Sequence, residues 1–319
     1  MTCLTAGACL SLTGRFAQFG QQAAWGLRLW ADDAGVDLTV VDDESDRAVL
    51  AEKLPIVAAH TELLFGPYST VLMRAAIPIA AVAGRLLFNH GGSGGSLNQP
   101  GRVVNVLTPA RRYAVPFVAY LAAAEHAPLF TSAGRGTFGR HIVTGARDAA
   151  YTAGLTVEVL NPDSPPTGTW DLLCAGVYED DVATVQSAQS MQNPPRFLCS
   201  VAAGVTQFAE DVPNPNGVFG IGQWAPDASR EKLNFTDRWR VRFGAAPDYP
   251  GVQAYAAGVI AEAAVRACGS AEAGPLWQTL AAMDTQTVFG RFRLDPDTGE
   301  QVGHEAVLTQ WRDGRQVAV

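Results

Sequence analysis

The segment of residues 63–95 constrains the fold of this chain more than any other. It contains two short apolar runs, 63–65 and 86–88, on either side of an almost wholly apolar segment at 71–83. A strand, a crossover helix and a second strand of these lengths are typical of a βαβ unit in a parallel sheet. The sequence therefore predicts that both strands end at the same edge of one sheet.

Two polar loops that contain glycine leave that edge, at residues 66–70 and 89–95. Ligands of open α/β sheets bind at the carboxyl ends of the strands. The hydroxyl side chains and backbone N–H groups of the two loops suit a carboxylate, an amide or another small polar group. We therefore expect a site for a small polar ligand where the loops meet.

The rest of the chain extends this α/β pattern. A length of 319 residues exceeds one ordinary core and indicates two domains. Strand-like and helix-like segments alternate up to residue 106 and again over 112–201, and further helical segments follow up to residue 283. The last part, 288–319, shows hairpin patterning around a turn at 295–299. Periodicity alone leaves open which domain carries the late helices and this tail.

Charge and composition exclude several classes of function. A net charge of −8 disfavours nucleic acid and anionic membranes as partners, because both would repel the chain. No apolar run reaches the roughly 18 residues of a membrane span, and no export signal is recognisable. We therefore expect a cytoplasmic protein if Met1 is the native start, and an extracytoplasmic one if the sequence is a trimmed mature domain. The five cysteines and five histidines lack metal-ligand spacing, so neither a metal nor a cofactor is expected.

One motif suggests a hydrolase. Residues 91–95 match the G-x-S-x-G nucleophile elbow around Ser93, and His304 follows in the chain order of an α/β-hydrolase triad. The elbow requires a helix directly after the serine, whereas a turn and then a strand follow here. A serine hydrolase that uses Ser93 is therefore kept only as an alternative.

A second motif suggests dinucleotide binding. Residues 134–139, from Gly134 to Gly139, match G-x-G-x-x-G between a strand and a helix, and Glu158 lies near the spacing of a ribose-binding acid. The motif is frequent by chance, and nothing near it offers a partner for hydride transfer. A dinucleotide-dependent protein is the other enzymatic alternative.

Short motifs spread over nearly the whole chain point to one family. They lie at residues 10–14, 19–20, 66–70, 89–94, 136–139, 202–205, 255–257, 289–292 and 310–314. In this order they resemble the type I periplasmic binding proteins, in the leucine/isoleucine/valine-binding branch that also contains the amide sensors. The resemblance implies two Rossmann-like α/β domains with parallel sheets, joined by a three-crossing hinge and closing on a ligand in the cleft between them.

The same resemblance implies domain boundaries. The expected amino-terminal domain contains residues 1–108 and 227–285. The expected carboxy-terminal domain contains residues 109–226 and 286–319, which assigns the antiparallel tail to the second domain.

The resemblance also implies which residues contact the ligand. Thr70 and Ser93 would supply hydroxyl groups, and Gly91 and Gly92 would supply backbone groups. Further expected contacts come from the first-domain residues Ser69, Tyr68, Asn89 and Phe19 and from the second-domain residues Phe138 and Tyr178. Among these, Tyr68 and Asn89 would line the wall of the site, and Phe19, Phe138 and Tyr178 would cover the ligand.

At one position the chain departs from the family's amino-acid receptors. These place a glutamate in the second domain opposite the ligand's ammonium, and the matching position here is Ala203. Either another acid substitutes, with Glu179, Asp180 and Asp248 as the candidates, or the ligand carries no α-ammonium. A branched-chain amino acid is therefore not the expected ligand, since an unpaired buried ammonium would cost several kcal/mol.

The function that follows is that of a solute-binding protein which is not an enzyme. We expect it to bind a small polar ligand, such as an amino acid, an amide, a urea-like compound or a small carboxylate, for ABC-type uptake or for sensing. The expected partners are this ligand and either an ABC permease or a regulatory protein.

Overall fold

A computed structural model describes residues 4–227 and 229–319, so Cys3 and Ala228 lie outside the described residues. The chain forms two compact units. The first contains the residues up to Thr108 together with Pro226–His304, and the second contains Pro109–Ala225 together with Glu305–Val319. The chain therefore passes from one unit to the other three times.

The strands of the described residues are β1 Thr5–Leu10, β2 Asp37–Asp42, β3 Leu63–Phe65, β4 Leu87–Asn89, β5 Val103–Asn105, β6 Leu129–Ala133, β7 Val157–Val159, β8 Asp171–Ala175, β9 Leu198–Ser200, β10 Phe219–Gly222, β11 Asp284–Gln286, β12 Arg291–Arg293, β13 Val307–Arg312 and β14 Arg315–Ala318.

The α-helices are α1 Ala17–Ala34, α2 Arg47–Ala59, α3 Thr70–Val82, α4 Val115–Ala123, α5 Thr137–Thr152, α6 Tyr178–Gln189, α7 Phe208–Asp211, α8 Arg230–Phe243, α9 Tyr249–Cys268 and α10 Ala273–Ala282. Short 3-10 turns lie at Gly95–Leu97, Ala110–Arg112 and Ala202–Gly204. Among these described elements, no helix combines the length and apolar composition needed to cross a membrane.

The first unit is built on a parallel five-stranded sheet in the order β2-β1-β3-β4-β5. Strands β3 and β4 are parallel neighbours, with Leu64 opposite Leu87, and α3 connects them. This arrangement confirms the βαβ unit that the apolar runs predict. The loops after β3 and β4 consequently leave the same carboxyl edge.

Helices cover both faces of this sheet. On one face, Leu64 and Leu87 share a core with residues of α2 and α3. On the other face, Trp30 of α1 packs edge-on against Phe65 of β3 at 5.3 Å between ring centroids. Both faces are thus buried, as expected for a parallel sheet whose strands are almost wholly apolar.

The second unit contains a seven-stranded sheet in the order β14-β13-β10-β9-β8-β6-β7. The strands from β7 to β10 are parallel, whereas β13 and β14 extend the β10 edge in antiparallel pairing. Residues of α4 and α5 pack in one core of this unit, and residues of α6 and α7 pack in another with Trp170 and Trp311. Strand β10 has no counterpart in the sequence prediction.

The placement of residues 286–304 differs from the expectation that they belong to the second domain. Hydrogen bonds attach them to the end of β5 in the first unit: Asn105 donates to the carbonyl of Gly299 at 2.9 Å, and Gln301 donates to the carbonyl of Val106 at 3.2 Å. Only the part from Glu305 onward belongs to the second unit, where β13 pairs with β10.

The turn expected at residues 295–299 closes a short hairpin. Asp295 N–H donates to the carbonyl of Glu300 at 2.8 Å and Val302 N–H to that of Arg293 at 2.9 Å, on either side of an antiparallel bridge between Leu294 and Gln301. The neighbouring strands pair elsewhere, β12 with β11 and β13 with β10 and β14. The alternation of apolar residues correctly predicts strands here, but it does not indicate which strands they pair with.

Candidate functional site

The loop after β3 ends at Ser69, a helix-capping residue with an unusual backbone conformation. Ser69 caps α3 by accepting a hydrogen bond from Leu72 N at 3.3 Å, and its φ of 92° lies in a region that favours glycine. Its own N–H donates to the carbonyl of Gly91 at 3.2 Å, which ties the loop to the one after β4. Strained non-glycine residues of this kind concentrate at ligand sites.

Asn89, the last residue of β4, organises the second loop. Its side-chain oxygen accepts from the N–H groups of Gly91 and Gly92, at 3.2 and 2.8 Å, and its amide donates to Gly92 O at 2.6 Å. The amide also donates to Asn105 Oδ1 at 2.7 Å. Asn89 is fully buried, so it shapes the loop from behind and does not line the wall of the site as expected.

Gly91 is required by the close approach of the two loops. A Cβ at this position would lie 2.7 Å from Tyr68 Cα, a backbone atom that cannot rotate away. A second bond joins the loops, since Gly94 N donates to Thr70 Oγ1 at 3.2 Å. The structure therefore brings the predicted residues of both loops together at one edge.

Hydrogen-bond donors remain available where the two loops meet. Among the described residues, no hydrogen bond is formed by the hydroxyl of Ser93, which is 7% exposed, or by the N–H groups of Thr70 and Val71. The two N–H groups belong to the first turn of α3, where the helix dipole favours negative charge. These donors suit an anionic oxygen such as a carboxylate.

Aromatic side chains stand at the same edge. Phe19 in the first turns of α1 stacks on Tyr68, with 4.8 Å between ring centroids and 6° between the planes. The hydroxyl of Tyr68 lies 3.1 Å from that of Tyr249, the first residue of α9. Sequence reasoning missed Tyr249, although its position directly after a helix-capping aspartate was readable as the start of α9.

His90 follows Asn89 and is fully buried. Within the described residues its ring nitrogens form no hydrogen bond of normal geometry. Burial lowers the pKa of His90 to about 4, although the nearby backbone of Gly66 offsets part of the effect. The imidazole is therefore neutral near pH 7, directly behind the loop that carries Ser93.

The arrangement around Ser93 does not support a serine nucleophile. His304 has its Nδ1 2.6 Å from Thr108 Oγ1 and its Nε2 3.3 Å from the carbonyl of Phe289. Both ring nitrogens are thus engaged, whereas a general base must reach the serine hydroxyl. The segment after Ser93 is a three-residue 3-10 turn in place of the helix that a nucleophile elbow requires.

In the glycine motif of the second unit, Arg135 binds the carboxylate of Asp180. The backbone N–H of Arg135 donates to Oδ2 at 2.8 Å, and its guanidinium donates to both carboxylate oxygens. Asp180 consequently sits beside the start of α5, where a pyrophosphate would have to bind. This placement argues against a dinucleotide at residues 134–139.

The expected contacts of the second unit lie at two neighbouring strand ends. Phe138, in the first turn of α5, packs edge-on against Tyr113 at 5.6 Å between centroids. Tyr178, the first residue of α6, donates to Asp211 Oδ2 at 2.7 Å. Strands β6 and β8, which precede these helices, are paired, so both residues stand at the carboxyl edge of this sheet.

Ala203 is fully buried, and its carbonyl accepts hydrogen bonds from Trp311 Nε1 at 2.9 Å and from Gln316 Nε2 at 2.7 Å. The acid in direct contact with this turn is Asp181, which sequence reasoning missed. Its Oδ2 accepts from Ser200 Oγ and from Ala202 N, both at 3.1 Å. Burial raises the pKa of Asp181 to about 7, against the lowering effect of these hydrogen bonds.

Comparison with known proteins identifies the fold. A family model described as periplasmic binding protein matches residues 4–316. No curated protein sequence matches the chain. The sheets and their connections are those of type I periplasmic binding proteins, which confirms the predicted fold class.

Three solved structures illustrate the similarity. A leucine-binding protein, LivK, from Thermotoga maritima is 13% identical, with a TM-score of 0.84 over 99% of this chain and 97% of that one. The branched-chain amino acid transporter substrate-binding protein LivJ from Streptococcus pneumoniae, in complex with isoleucine, is 16% identical, with a TM-score of 0.83 over 99% of both chains. A solute-binding protein of an ABC transporter from Rhodopseudomonas palustris BisB5, in complex with 3,4-dihydroxybenzoic acid, is 14% identical, with a TM-score of 0.83 over 99% and 96%.

Proposed function

We propose, from the premise that the chain belongs to the family of periplasmic binding proteins, that it binds a small carboxylate-bearing solute for ABC-type uptake. The family and the structural neighbours are substrate-binding proteins that are not enzymes. The single observation that carries the proposal is the group of available donors at the start of α3, namely the Ser93 hydroxyl and the N–H groups of Thr70 and Val71.

The ligands of the structural neighbours support a carboxylate as the recognised group. Isoleucine and 3,4-dihydroxybenzoic acid, seen in two of these structures, differ in nearly everything except the carboxylate. A carboxylate site common to both, with a variable remainder of the ligand site, would account for the two ligands. The start of a 13-residue helix next to a buried hydroxyl group is such a site.

The remaining contacts follow from the two sheet edges. We propose that Ser69, Gly91 and Gly92, whose backbone N–H groups are bonded within the two loops, hold these loops in the shape that surrounds the carboxylate. Tyr68 and Phe19 are the proposed contacts of the apolar part of the solute. In the second unit, Phe138 and Tyr178 are the proposed contacts. An ABC permease is the proposed protein partner, because the neighbours from Streptococcus and Rhodopseudomonas are described as transporter components.

Substitution of Ser93 tests the proposal. Ser93→Ala removes a hydrogen bond to a charged oxygen, which is worth about 1.5 kcal/mol, so the affinity for a bound carboxylate should fall about tenfold. Ser96→Ala is the matched control, since Ser96 lies in the same loop but is exposed and accepts from Arg74 Nε at 2.8 Å. Calorimetric titration should show the loss for Ser93→Ala alone. Equal affinities of the wild type and Ser93→Ala would refute the carboxylate site.

A further inference from the structure

The acids at the two sheet edges restrict the class of carboxylate further, and this inference rests on the proposed function. An amino acid brings an ammonium group next to its carboxylate. A buried ammonium is strongly unfavourable unless a carboxylate or several acceptors pair with it. The question is therefore which described acids stand at the carboxyl edges of the sheets and remain available.

In the first unit, the loops that hold the proposed carboxylate offer no acid. Residues 66–70 and 90–95 contain glycine, proline, hydroxyl-bearing residues, Tyr68 and the neutral His90. The acids after β2 are remote, because β1 and β3 separate β2 from β4. Three strand spacings amount to roughly 14 Å.

These remote acids, Asp42 and Asp43, are also engaged. Asp42 accepts from the backbone of Leu12 at 2.9 Å and from the hydroxyl of Thr13 at 2.7 Å. Burial raises the pKa of Asp42, but its hydrogen bonds together outweigh this effect and lower the pKa. Asp43 is fully buried and accepts from Ser11 Oγ at 2.7 Å. Neither carboxylate is placed to receive an ammonium held beside Ser93.

Asp248 in the first unit has a structural task as well. It caps α9 by accepting from Tyr249 N at 2.9 Å, and its own N–H donates to Gln22 Oε1 at 3.2 Å. A carboxylate that caps a helix is stabilised by the dipole and by the capped N–H groups.

The acids at the edge of the second unit are committed in the same way. Asp180 is paired with Arg135, and Glu179 in the same first turn of α6 adds its charge to that of Asp180 in raising the pKa of Arg135. Asp211 accepts from Tyr178 Oη. Asp181 is 2% exposed and holds the turn at Ala202. Each of these carboxylates already has a partner within its own unit.

We propose that the solute carries a carboxylate but no α-ammonium group. The donors at the start of α3 neutralise the carboxylate, and Phe19 with Tyr68 offers a stacked aromatic surface to an apolar or aromatic body. An aliphatic or aromatic monocarboxylate matches these donors and this aromatic surface without bringing a cation into the site. An α-amino acid would leave its ammonium unpaired.

Matched pairs of ligands test this inference directly. Leucine and isocaproate differ only in the amino group, as do valine and isovalerate, and phenylalanine and hydrocinnamate. Isothermal titration of the full chain should give at least tenfold tighter binding for the acid without the amino group in each pair that binds. Ser93→Ala should weaken that binding, and Ser96→Ala should not.

The outcomes separate this inference from the proposed function. Equal or tighter binding of an α-amino acid, with the loss on Ser93→Ala retained, overturns the inference and leaves the carboxylate site intact. Binding of no acid and no amino acid at millimolar concentration overturns both. Tighter binding of the acids that is insensitive to Ser93→Ala overturns the carboxylate site itself.

Discussion

Replacing Asp181 by asparagine should stabilise the protein at neutral and alkaline pH. The carboxyl group is almost fully buried between the first turn of α6 and the turn after β9, and no cation neutralises it within the described residues. Burial raises its pKa to about 7, so the charged form is unfavourable in the folded state. Asparagine has the same shape and remains neutral at every pH, and its oxygen can still accept from Ala202 N.

The magnitude follows from the two pKa values. An unfolded aspartate titrates near pH 3.9, and each unit of pKa corresponds to about 1.4 kcal/mol. The folded state holds the proton more tightly, so this group stabilises the protein fully below about pH 4, and the contribution is lost as the pH rises through about 7. The lost contribution is about 4 kcal/mol. Burying the asparagine N–H₂ without a partner costs about 1 to 3 kcal/mol, so the net gain at pH 8 is about 1 to 3 kcal/mol.

The assay is urea unfolding of the wild type and Asp181→Asn between pH 4 and pH 8. The difference in unfolding free energy should move in favour of the variant by about 4 kcal/mol across this range. Asp180→Asn is the matched control, because the carboxylate of Asp180 is next to Asp181 in the chain but is partly exposed and paired with Arg135. The control should lose about 1 kcal/mol or less, with no gain as the pH rises.

A pH-independent difference between the wild type and Asp181→Asn would show that the carboxyl group is not buried as described. Destabilisation that grows with pH would show that the ionised carboxylate is the form that the fold requires. Either result would refute the reasoning.

Three further predictions concern the loops of the first unit. Because the folded state holds the imidazole of His90 neutral, the wild type should lose about 3 kcal/mol of unfolding free energy as the pH falls from about 6.5 through 4. The variant His90→Gln should not show this loss. Asn89→Ala should lower the unfolding free energy by about 2 to 4 kcal/mol, measured by urea titration, because it leaves the loop N–H groups without their acceptor. Gly91→Ala should weaken binding of a carboxylate at least tenfold in calorimetry, because its Cβ would displace Tyr68; unchanged affinity would contradict the described loop contact.

The sequence predicts the elements of the first unit well where local pattern decides them. The runs at 63–65 and 86–88 are apolar and too short for helices, and they form β3 and β4. Strand β10 is not predicted from the sequence, because Phe219–Gly222 contains two glycines and follows a loop rich in proline and asparagine. Neither strand propensity nor alternation of apolar residues indicates it.

The remaining differences depend on contacts between residues far apart in the chain. The bond from Asn105 to Gly299 spans 194 residues and helps to hold residues 286–304 in the first unit, which no local pattern reports. Asn89 was placed at the correct edge, but its role depends on the register that brings it opposite Asn105. The burial of Asp181 likewise follows from packing between α6 and the end of β9, so its altered pKa was not predictable.

Mass spectrometry of the small molecules released when the purified protein is denatured tests the central claim most directly. The protein is saturated with carboxylate-bearing solutes beforehand, freed of excess by gel filtration, and compared with Ser93→Ala treated in the same way. The account predicts one solute per chain, chemically unchanged and bearing a carboxylate, with clearly less retained by Ser93→Ala. Release of a chemically transformed solute, or of a nucleotide, or equal retention by the wild type and Ser93→Ala would contradict it.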